Sequence, residues 1–239
     1  GSTDNTAEVV ASFADPRITY RWEENFGGPA RPRNRGIAQA KGEWICFLDA
    51  DDWWTADKLE ICFLALNADA DIVYHDLYVV RTLDQTIFKE RASSTAPRHP
   101  MFQALLCTGM SMPNSSVVVR RDLLIQAGPV SEKRELIAVE DLDTWVRLSR
   151  LTEKFKRIPK CLGYYWFGGD NISLTSTLTL HCTRIIALYD QYLGELNASE
   201  RRQAEGFLAY QIGRIAYTYG DRAKAQSNLM KALFSPIEF

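Results

Sequence analysis

Three aspartates stand directly after an apolar run, and their type and spacing suit them to chemistry. Asp49, Asp51 and Asp52 follow residues 44–48, a run too short for a helix and typical of a strand buried on both faces. Side chains two positions apart on a strand point the same way, so Asp49 and Asp51 should project together from its carboxyl end. Crowded carboxylates favour a hard divalent cation, Mn²⁺ or Mg²⁺, which could also bind a diphosphate. The alternative is a solvated acidic turn before a helix.

The elements that must position these aspartates follow from the apolar periodicity. Strands are predicted at 17–22, 44–48, 71–80 and 115–119, and helices around 9–13, 32–40, 59–66, 121–127 and 140–151. This alternation predicts an α/β layer fold with a mostly parallel central sheet flanked by helices. Residues 81–113 show no regular pattern. From Leu178 the strands cease, and residues 210–236 carry small residues spaced as in a helix-turn-helix repeat of the tetratricopeptide kind.

Composition narrows the class of protein. The 239 residues are 46% hydrophobic and 24% charged, enough for one large domain with a modest appendage. A net charge of -2 without a dense Lys/Arg run argues against nucleic acid as a partner. Five widely spaced cysteines indicate neither a disulfide framework nor a zinc site and favour a reducing compartment. We find no apolar run near 18 residues and no secretory leader, so the expected location is the cytoplasm.

Three stretches together resemble a known family. The core signature of family 2 glycosyltransferases with the GT-A fold is similar to the segment from Arg33 to Trp53. The end of that family's Asp-Asp-Gly-Ser-x-Asp element is similar to Gly1–Thr6, and its acceptor-side half is similar to residues 120–141. The resemblance covers roughly residues 1–175 and implies that the family's first strands, which contact the nucleotide, would precede Gly1.

The resemblance implies a donor site. Asp51, with Asp49, matches the D-x-D pair that holds the metal and the diphosphate of a nucleotide sugar, and Asp52 is a further candidate ligand. Arg33 matches the family arginine near the nucleotide, and Asn34 lies beside it. The alternative for Arg33 is an ordinary surface arginine at a helix start. The implied cofactor is Mn²⁺ or Mg²⁺.

The resemblance also implies a catalytic base. Asp141 matches the family carboxylate that takes a proton from the acceptor hydroxyl, and Glu140 would orient Asp141 or the acceptor. The alternative is an acidic first turn that merely complements the dipole of the following helix. Direct displacement by the acceptor would invert the anomeric configuration, so no enzyme nucleophile is needed.

The sequence therefore predicts a GT-A domain over residues 1–177, incomplete at its N-terminus, and a helical C-terminal extension over residues 178–239. The predicted function is an inverting glycosyltransferase for polysaccharide or glycolipid synthesis, with a nucleoside-diphosphate sugar as donor and a saccharide or lipid-linked saccharide as acceptor. Such acceptors imply peripheral association with the inner membrane face.

Two other functions compete with this interpretation. One is a non-catalytic, glycosyltransferase-like interaction module that presents its helical tail to a partner. The other is a haloacid-dehalogenase-like, magnesium-dependent phosphatase, which also places D-x-D after an apolar strand. That phosphatase family has Thr or Val two places after the second aspartate, where this sequence has Trp53.

Overall fold

The computed structural model describes residues 1–66, 69–168 and 177–236. Within them the strands are β1 (Trp44–Cys46), β2 (Trp53–Trp54), β3 (Ile72–Val80), β4 (Arg91–Ala92), β5 (Val118–Arg120) and β6 (Phe155–Trp166). The α-helices are α1 (Thr6–Ser12), α2 (Ala30–Gln39), α3 (Lys58–Leu66), α4 (Met101–Cys107), α5 (Arg121–Ala127), α6 (Glu140–Leu148), α7 (Leu178–Tyr192), α8 (Ala198–Thr218) and α9 (Arg222–Leu233). Short 3₁₀ turns lie at Asn114–Ser116, Arg134–Leu136 and Leu193–Glu195.

The strands form one mixed sheet in the order β1-β5-β3-β6-β2, with β4 paired to β3. β3 and β6 pair in parallel, whereas the β1–β5, β3–β5, β2–β6 and β3–β4 pairs are antiparallel. β1, β3 and β6 therefore run in one direction and β5 runs against them. The α/β layer fold is confirmed, but the sheet is not mostly parallel. Apolar runs indicate that a strand is buried, and they do not indicate its direction.

Two segments differ from the sequence prediction. Residues 17–22, predicted as a strand, are exposed and pair with none of the described strands. Alternation alone does not supply the hydrogen-bonded partner that a strand requires. Residues 81–113, predicted to be irregular, contain β4 and α4. The first helical N–H of α4, that of Met101, donates to Glu153 Oε2 at 2.9 Å, a tertiary contact that periodicity does not reveal.

The sheet buries both of its faces. Along β3, Ile72 and Tyr74 point into the larger core, while Val73 between them points to the opposite face. This is the alternation expected of a strand covered on both sides. Helix α3 covers the smaller core through Cys62 and Leu66. The larger core lies under α4 and α6, where Phe47 meets Trp145 edge to face at 5.8 Å between ring centroids.

The C-terminal helices pack into the larger core. Ile185, Leu188 and Tyr189 of α7 are buried in the same cluster as the sheet residues. The Tyr192 hydroxyl donates to Asp143 Oδ1 at 2.5 Å, which ties α7 to α6. Since the two regions share one core, a domain division at residue 177 stays a prediction. Among the described helices, none combines the length and apolarity that crossing a membrane requires.

Candidate active site

The three aspartates lie on a turn just beyond β1. The backbone leaves the strand at Phe47, whose N–H donates to the Val117 carbonyl at 3.2 Å. The turn closes where the Asp52 N–H donates to the Asp49 carbonyl at 3.1 Å. Trp44–Cys46 are thus held in the sheet, and the aspartates follow at the carboxyl end of β1, which is where open α/β sheets bind ligands.

Arg33 joins two of the predicted site residues. From α2 its Nη2 donates to Asp49 Oδ1 at 2.5 Å and its Nη1 donates to Glu140 Oε1 at 2.6 Å. The side chain of Arg33 is 13% exposed and that of Glu140 is 4% exposed. Burial alone would lower the pKa of Arg33, but attraction to Asp49 and Glu140 outweighs burial and raises it. Arg33 is therefore the buried centre of an ion-pair network and not an ordinary surface arginine.

Two residues that sequence reasoning missed complete the surroundings of Asp49. Asn114 Nδ2 donates to Asp49 Oδ1 at 2.8 Å, and the Asp49 N–H donates to Ser115 Oγ at 3.0 Å. Both lie in the buried 3₁₀ turn before β5. Polar residues immediately before an apolar strand were the available signal, since an antiparallel neighbour begins at the edge of the sheet where β1 ends.

Asp52 faces the interior of the site. Its Oδ1 accepts a hydrogen bond from the Trp166 N–H at 2.9 Å, and Asp52 as a whole is 9% exposed. Burial raises the pKa of Asp52 to about 6, although hydrogen bonds from Ser115 and from the Trp166 N–H lower it. This geometry fits a residue that holds the end of β6 against the aspartate turn.

The Asp52→Asn variant is expected to be more stable than the wild type in metal-free solution at pH 7.5. The raised pKa means that the folded state favours the protonated carboxyl. The protonated Asp52 therefore contributes its full stabilisation below about pH 4, and this stabilisation is lost as pH rises through about 6. Asn keeps an acceptor for the Trp166 N–H, and we expect a gain of about 1–2 kcal/mol. Urea unfolding at pH 4.5 and 7.5 measures it. An Asp52→Asn variant that is no more stable than the wild type at pH 7.5 would contradict the raised pKa of Asp52.

The acidic side chains fit a metal that is completed by a diphosphate. Within the described residues no three His, Cys, Asp or Glu side chains form a metal-binding group. Asp49 Oδ1 is shared by Arg33 and Asn114, Asp52 is directed to the Trp166 N–H, and Asp51 is exposed at the cleft. The assignment of Asp51, Asp49 and Asp52 as metal ligands therefore stays a prediction, and Asp51 is the most exposed of the three at the cleft. Mg²⁺ and similar ions commonly use one or two carboxylates plus substrate phosphates.

Glu140 and Asp141 begin helix α6, as predicted. Asp141 Oδ1 accepts from the Leu142 N–H at 2.7 Å, and Glu140 Oε2 is a buried oxygen without a hydrogen-bond partner in the described part of the chain. Burial, followed by repulsion from Glu140, raises the pKa of Asp141 to about 7, while Arg33 lowers it. A carboxylate with a pKa near neutrality is a better proton acceptor than an ordinary surface aspartate.

One cleft of about 720 Å³ brings these side chains together. It is lined by Arg33, Asp49, Asp51, Asp52, Asn114, Ser115, Glu140, Asp141, Tyr165 and Trp166, among others. The residues come from α2, the aspartate turn, the 3₁₀ turn, α6 and the end of β6. Carboxylates, a guanidinium and a volume suited to a small molecule therefore converge at one sheet edge.

Asn34 does not join them. Its Nδ2 donates to the Val130 carbonyl at 2.9 Å and to Glu132 Oε1 at 3.0 Å, and its Oδ1 accepts from the Val130 N–H at 2.7 Å. The prediction that Asn34 binds the nucleotide is thus not supported. Adjacent helix residues do not share a face, so Asn34 cannot point where Arg33 points. The side chain instead fastens α2 to the segment after α5.

The Asn34→Ala variant should therefore lose stability and keep nucleotide affinity. The buried Val130 N–H would lose its acceptor, at a cost of about 1–3 kcal/mol. Denaturant unfolding measures the loss, and Gln39→Ala, at an exposed position of the same helix, is the matched control. A nucleotide Kd raised tenfold in a folded Asn34→Ala protein would show that Asn34 contributes to nucleotide binding.

Comparison with solved structures defines the class. A mannosyltransferase from Pyrobaculum calidifontis, solved with GDP-Man and Mn²⁺, superimposes with TM-score 0.59 at 17% identity, over 97% of this chain and 63% of that one. S. aureus TarS residues 1–349, solved with UDP, superimposes with TM-score 0.52 at 20% identity, over 95% of this chain and 77% of that one. The fold is that of GT-A glycosyltransferases, so the haloacid-dehalogenase-like alternative is not supported.

The chain belongs to glycosyl transferase family 2, whose family model matches residues 1–126. An uncharacterised glycosyltransferase of Nostoc sp. is 28% identical over 209 residues, covering 82% of this chain and 63% of the relative. The poly(ribitol-phosphate) β-N-acetylglucosaminyltransferase TarS of Staphylococcus aureus is 27% identical over 145 residues, covering 59% of this chain and 24% of TarS. The chain thus spans less than two thirds of these relatives.

Proposed function

We propose that this protein is an inverting glycosyltransferase that moves a sugar from a nucleoside-diphosphate donor to an acceptor hydroxyl. The observation that carries the proposal is the single cleft in which Asp51, the Arg33 network and Asp141 converge. Membership of the family and the GT-A fold support it.

The donor end of the cleft is assigned to the aspartate turn. Asp51, with the remaining oxygen of Asp49, would hold Mn²⁺ or Mg²⁺, and the ion when bound would offset charge on the departing nucleoside diphosphate. Arg33 keeps Asp49 in place through its 2.5 Å contact. The Mn²⁺ in the P. calidifontis structure supports a metal in this role.

Asp141 is assigned as the base. Its ionised carboxylate would take the proton of the acceptor hydroxyl while that oxygen attacks the anomeric carbon from the face opposite the leaving group. One displacement inverts the configuration. Glu140, fixed by Arg33 at 2.6 Å, is assigned a positioning role beside Asp141.

Donor and acceptor classes follow from chemistry and similarity. UDP and GDP-Man occupy the two structural relatives, so a uridine or guanosine diphosphate sugar is the proposed donor. A saccharide or lipid-linked saccharide is the proposed acceptor, in polysaccharide or glycolipid synthesis. The name of TarS, which refers to poly(ribitol-phosphate), supports a glycopolymer role. The proposed location is the cytoplasm, and acceptors of the lipid-linked kind would bring the protein to the inner membrane face.

Nucleotide release from a panel of UDP- and GDP-sugars tests the proposal. With Mn²⁺ and a mixed saccharide acceptor pool, one donor should be turned over in preference to the others, and NMR of the product should show the anomeric configuration inverted. Retained configuration would exclude direct displacement. Absence of turnover and of nucleotide binding would favour the non-catalytic interaction module.

A further inference from the structure

A second cavity of about 710 Å³ adjoins the candidate active site. It opens between α4, α6 and the C-terminal helices α7 and α8. Asp141 lines this cavity and also the cleft that holds the aspartate turn. The proposed base therefore borders two spaces, one rich in carboxylates and one lined mainly by aliphatic and aromatic side chains.

We propose that this second cavity is the acceptor site, that it binds a saccharide carrying an anionic group, and that Arg214 of α8 selects for that group. The inference rests on the proposed transferase function and adds to it the class of acceptor and the residues that choose it. A hydroxyl of the sugar faces Asp141, while the anionic group lies at the rim beside Arg214.

The walls suit a sugar ring. Trp145, Phe167, Phe207, Tyr210 and Tyr219 line the cavity, and the Phe207 and Tyr210 rings lie 5.8 Å apart. Aromatic faces offer apolar area at a fixed geometry, which matches the C–H faces of a pyranose. A volume of this size falls within the roughly 300–1,000 Å³ usual for small-molecule sites.

Polar groups in the wall still require partners. Trp145 Nε1 and His181 Nδ1 are buried and have no hydrogen-bond partner among the described residues. Trp145 as a whole is only 2% exposed. Buried donors and acceptors are normally satisfied in native proteins, and the two residues that carry these nitrogens both line the cavity.

The charges of the lining indicate the second part of the ligand. Among the described lining residues, Asp141 is the carboxylate and Arg214 is the permanent cation. Burial, with the nearby Arg184, lowers the pKa of His181, so its ring is neutral at neutral pH. The Arg214 guanidinium lies 5.7 Å from the Tyr210 ring centroid at an exposed position of α8. A rim arginine next to an aromatic wall suits a phosphate or carboxylate attached to a sugar.

The residues that choose the acceptor come from outside the matched family segment. The family model ends at residue 126, whereas His181, Tyr210 and Arg214 belong to α7 and α8. The C-terminal helices therefore act as a wall of the active site. They are held there by the core that they share with the sheet and by the Tyr189 hydroxyl, which donates to the Leu106 carbonyl of α4 at 2.9 Å.

Titration calorimetry with small probes tests the inference. Protein saturated with Mn²⁺ and its preferred nucleoside diphosphate, which fills the donor cleft, is titrated with glucose and N-acetylglucosamine, each as the 1-phosphate and as the methyl glycoside. We expect at least one 1-phosphate to bind at least tenfold more tightly than its methyl glycoside. Arg214→Gln should abolish that preference, and Tyr210→Ala should weaken both forms at least fivefold. Arg202→Ala, another exposed arginine on α8, should bind as wild type does.

The outcomes distinguish a failure of the acceptor assignment from a failure of the proposed function. Nucleotide binding without saturable binding of any probe overturns the acceptor assignment and leaves the proposed function intact. Equal affinity for charged and neutral probes, or a preference that persists in Arg214→Gln, overturns the role of Arg214. Failure of the wild type to bind nucleotide is instead a failure of the proposed function. Unchanged nucleotide Kd in each variant shows that the variants are folded.

Discussion

Replacing Asp141 with asparagine is expected to slow sugar transfer by about 10²–10⁴-fold while nucleotide affinity stays within twofold. Asn has nearly the same shape and can still accept the Leu142 N–H bond now made at 2.7 Å, so the helix start is preserved. What it loses is the ability to take a proton. Initial rates of transfer, with nucleotide Kd measured in parallel, check the expectation.

The matched control for this experiment is Asp122→Asn. Asp122 is also an acid in the first turn of a helix, α5, and it is exposed. If Asp141 only complemented the dipole of α6, the two variants would behave alike, with small losses of stability and normal rates. If Asp141→Asn transfers sugar at more than a tenth of the wild-type rate, Asp141 is not the catalytic base.

The pH dependence of the transfer rate tests the role of Asp141 in a second way. Asp141 must be ionised to accept a proton, and burial together with repulsion from Glu140 raises its pKa to about 7. The wild-type rate should therefore fall about tenfold for each pH unit below that value. The residual rate of Asp141→Asn should lack this fall.

Replacing Arg33 with methionine is expected to destabilise the protein by about 3 kcal/mol and to weaken nucleotide binding strongly. The change leaves Glu140, which is 4% exposed, with an uncompensated charge, and removing one partner from a buried ion pair costs about 3–5 kcal/mol. The lower end applies because Asp49 is 32% exposed and water can hydrate it. Urea unfolding at pH 7.5 gives the free energy of unfolding.

Two further variants sharpen the Arg33 experiment. Arg31→Met, on the same helix, removes a more exposed ion pair with Glu132 and should cost less than about 1 kcal/mol. The double variant Arg33→Met with Glu140→Gln should regain part of the lost stability, because the buried charge is gone. Equal and small losses in Arg33→Met and Arg31→Met would mean that the Arg33 ion-pair network contributes no more to stability than a surface ion pair does.

Local pattern was sufficient to find Asp49 and Asp51, because they follow a short apolar run. Arg33, Glu140 and Asp141 were predicted from the family resemblance, since local pattern alone left them as ordinary residues of a helix start. What pattern did not give was direction. Asn34 points to Val130 and Asp52 to the Trp166 N–H, because rotation along a helix and around a turn decides which side chain enters a site.

Contacts between distant segments account for what the sequence did not reveal. Asn114 and Ser115 reach Asp49 only because β5 lies beside β1 in the sheet, and strand order is not encoded in apolar alternation. The tail was predicted to be helical, and over residues 178–233 it consists mostly of helices. Helices α7 and α8 line a cavity together with Asp141. Their position there depends on the packing of the whole core, and the repeat-like spacing of residues 210–236 does not reveal it.

Calorimetric titration of UDP and GDP, with and without Mn²⁺, into wild type and Asp51→Ala tests the central claim most directly. Asp57→Ala, an exposed aspartate just beyond the same turn, is the control. We predict that one nucleotide binds the wild type and Asp57→Ala at least tenfold more tightly with Mn²⁺, and that Asp51→Ala loses this gain. Binding of neither nucleotide to a folded wild type, or an undiminished Mn²⁺ effect in Asp51→Ala, would contradict a metal-assisted nucleotide-sugar site at the aspartate turn.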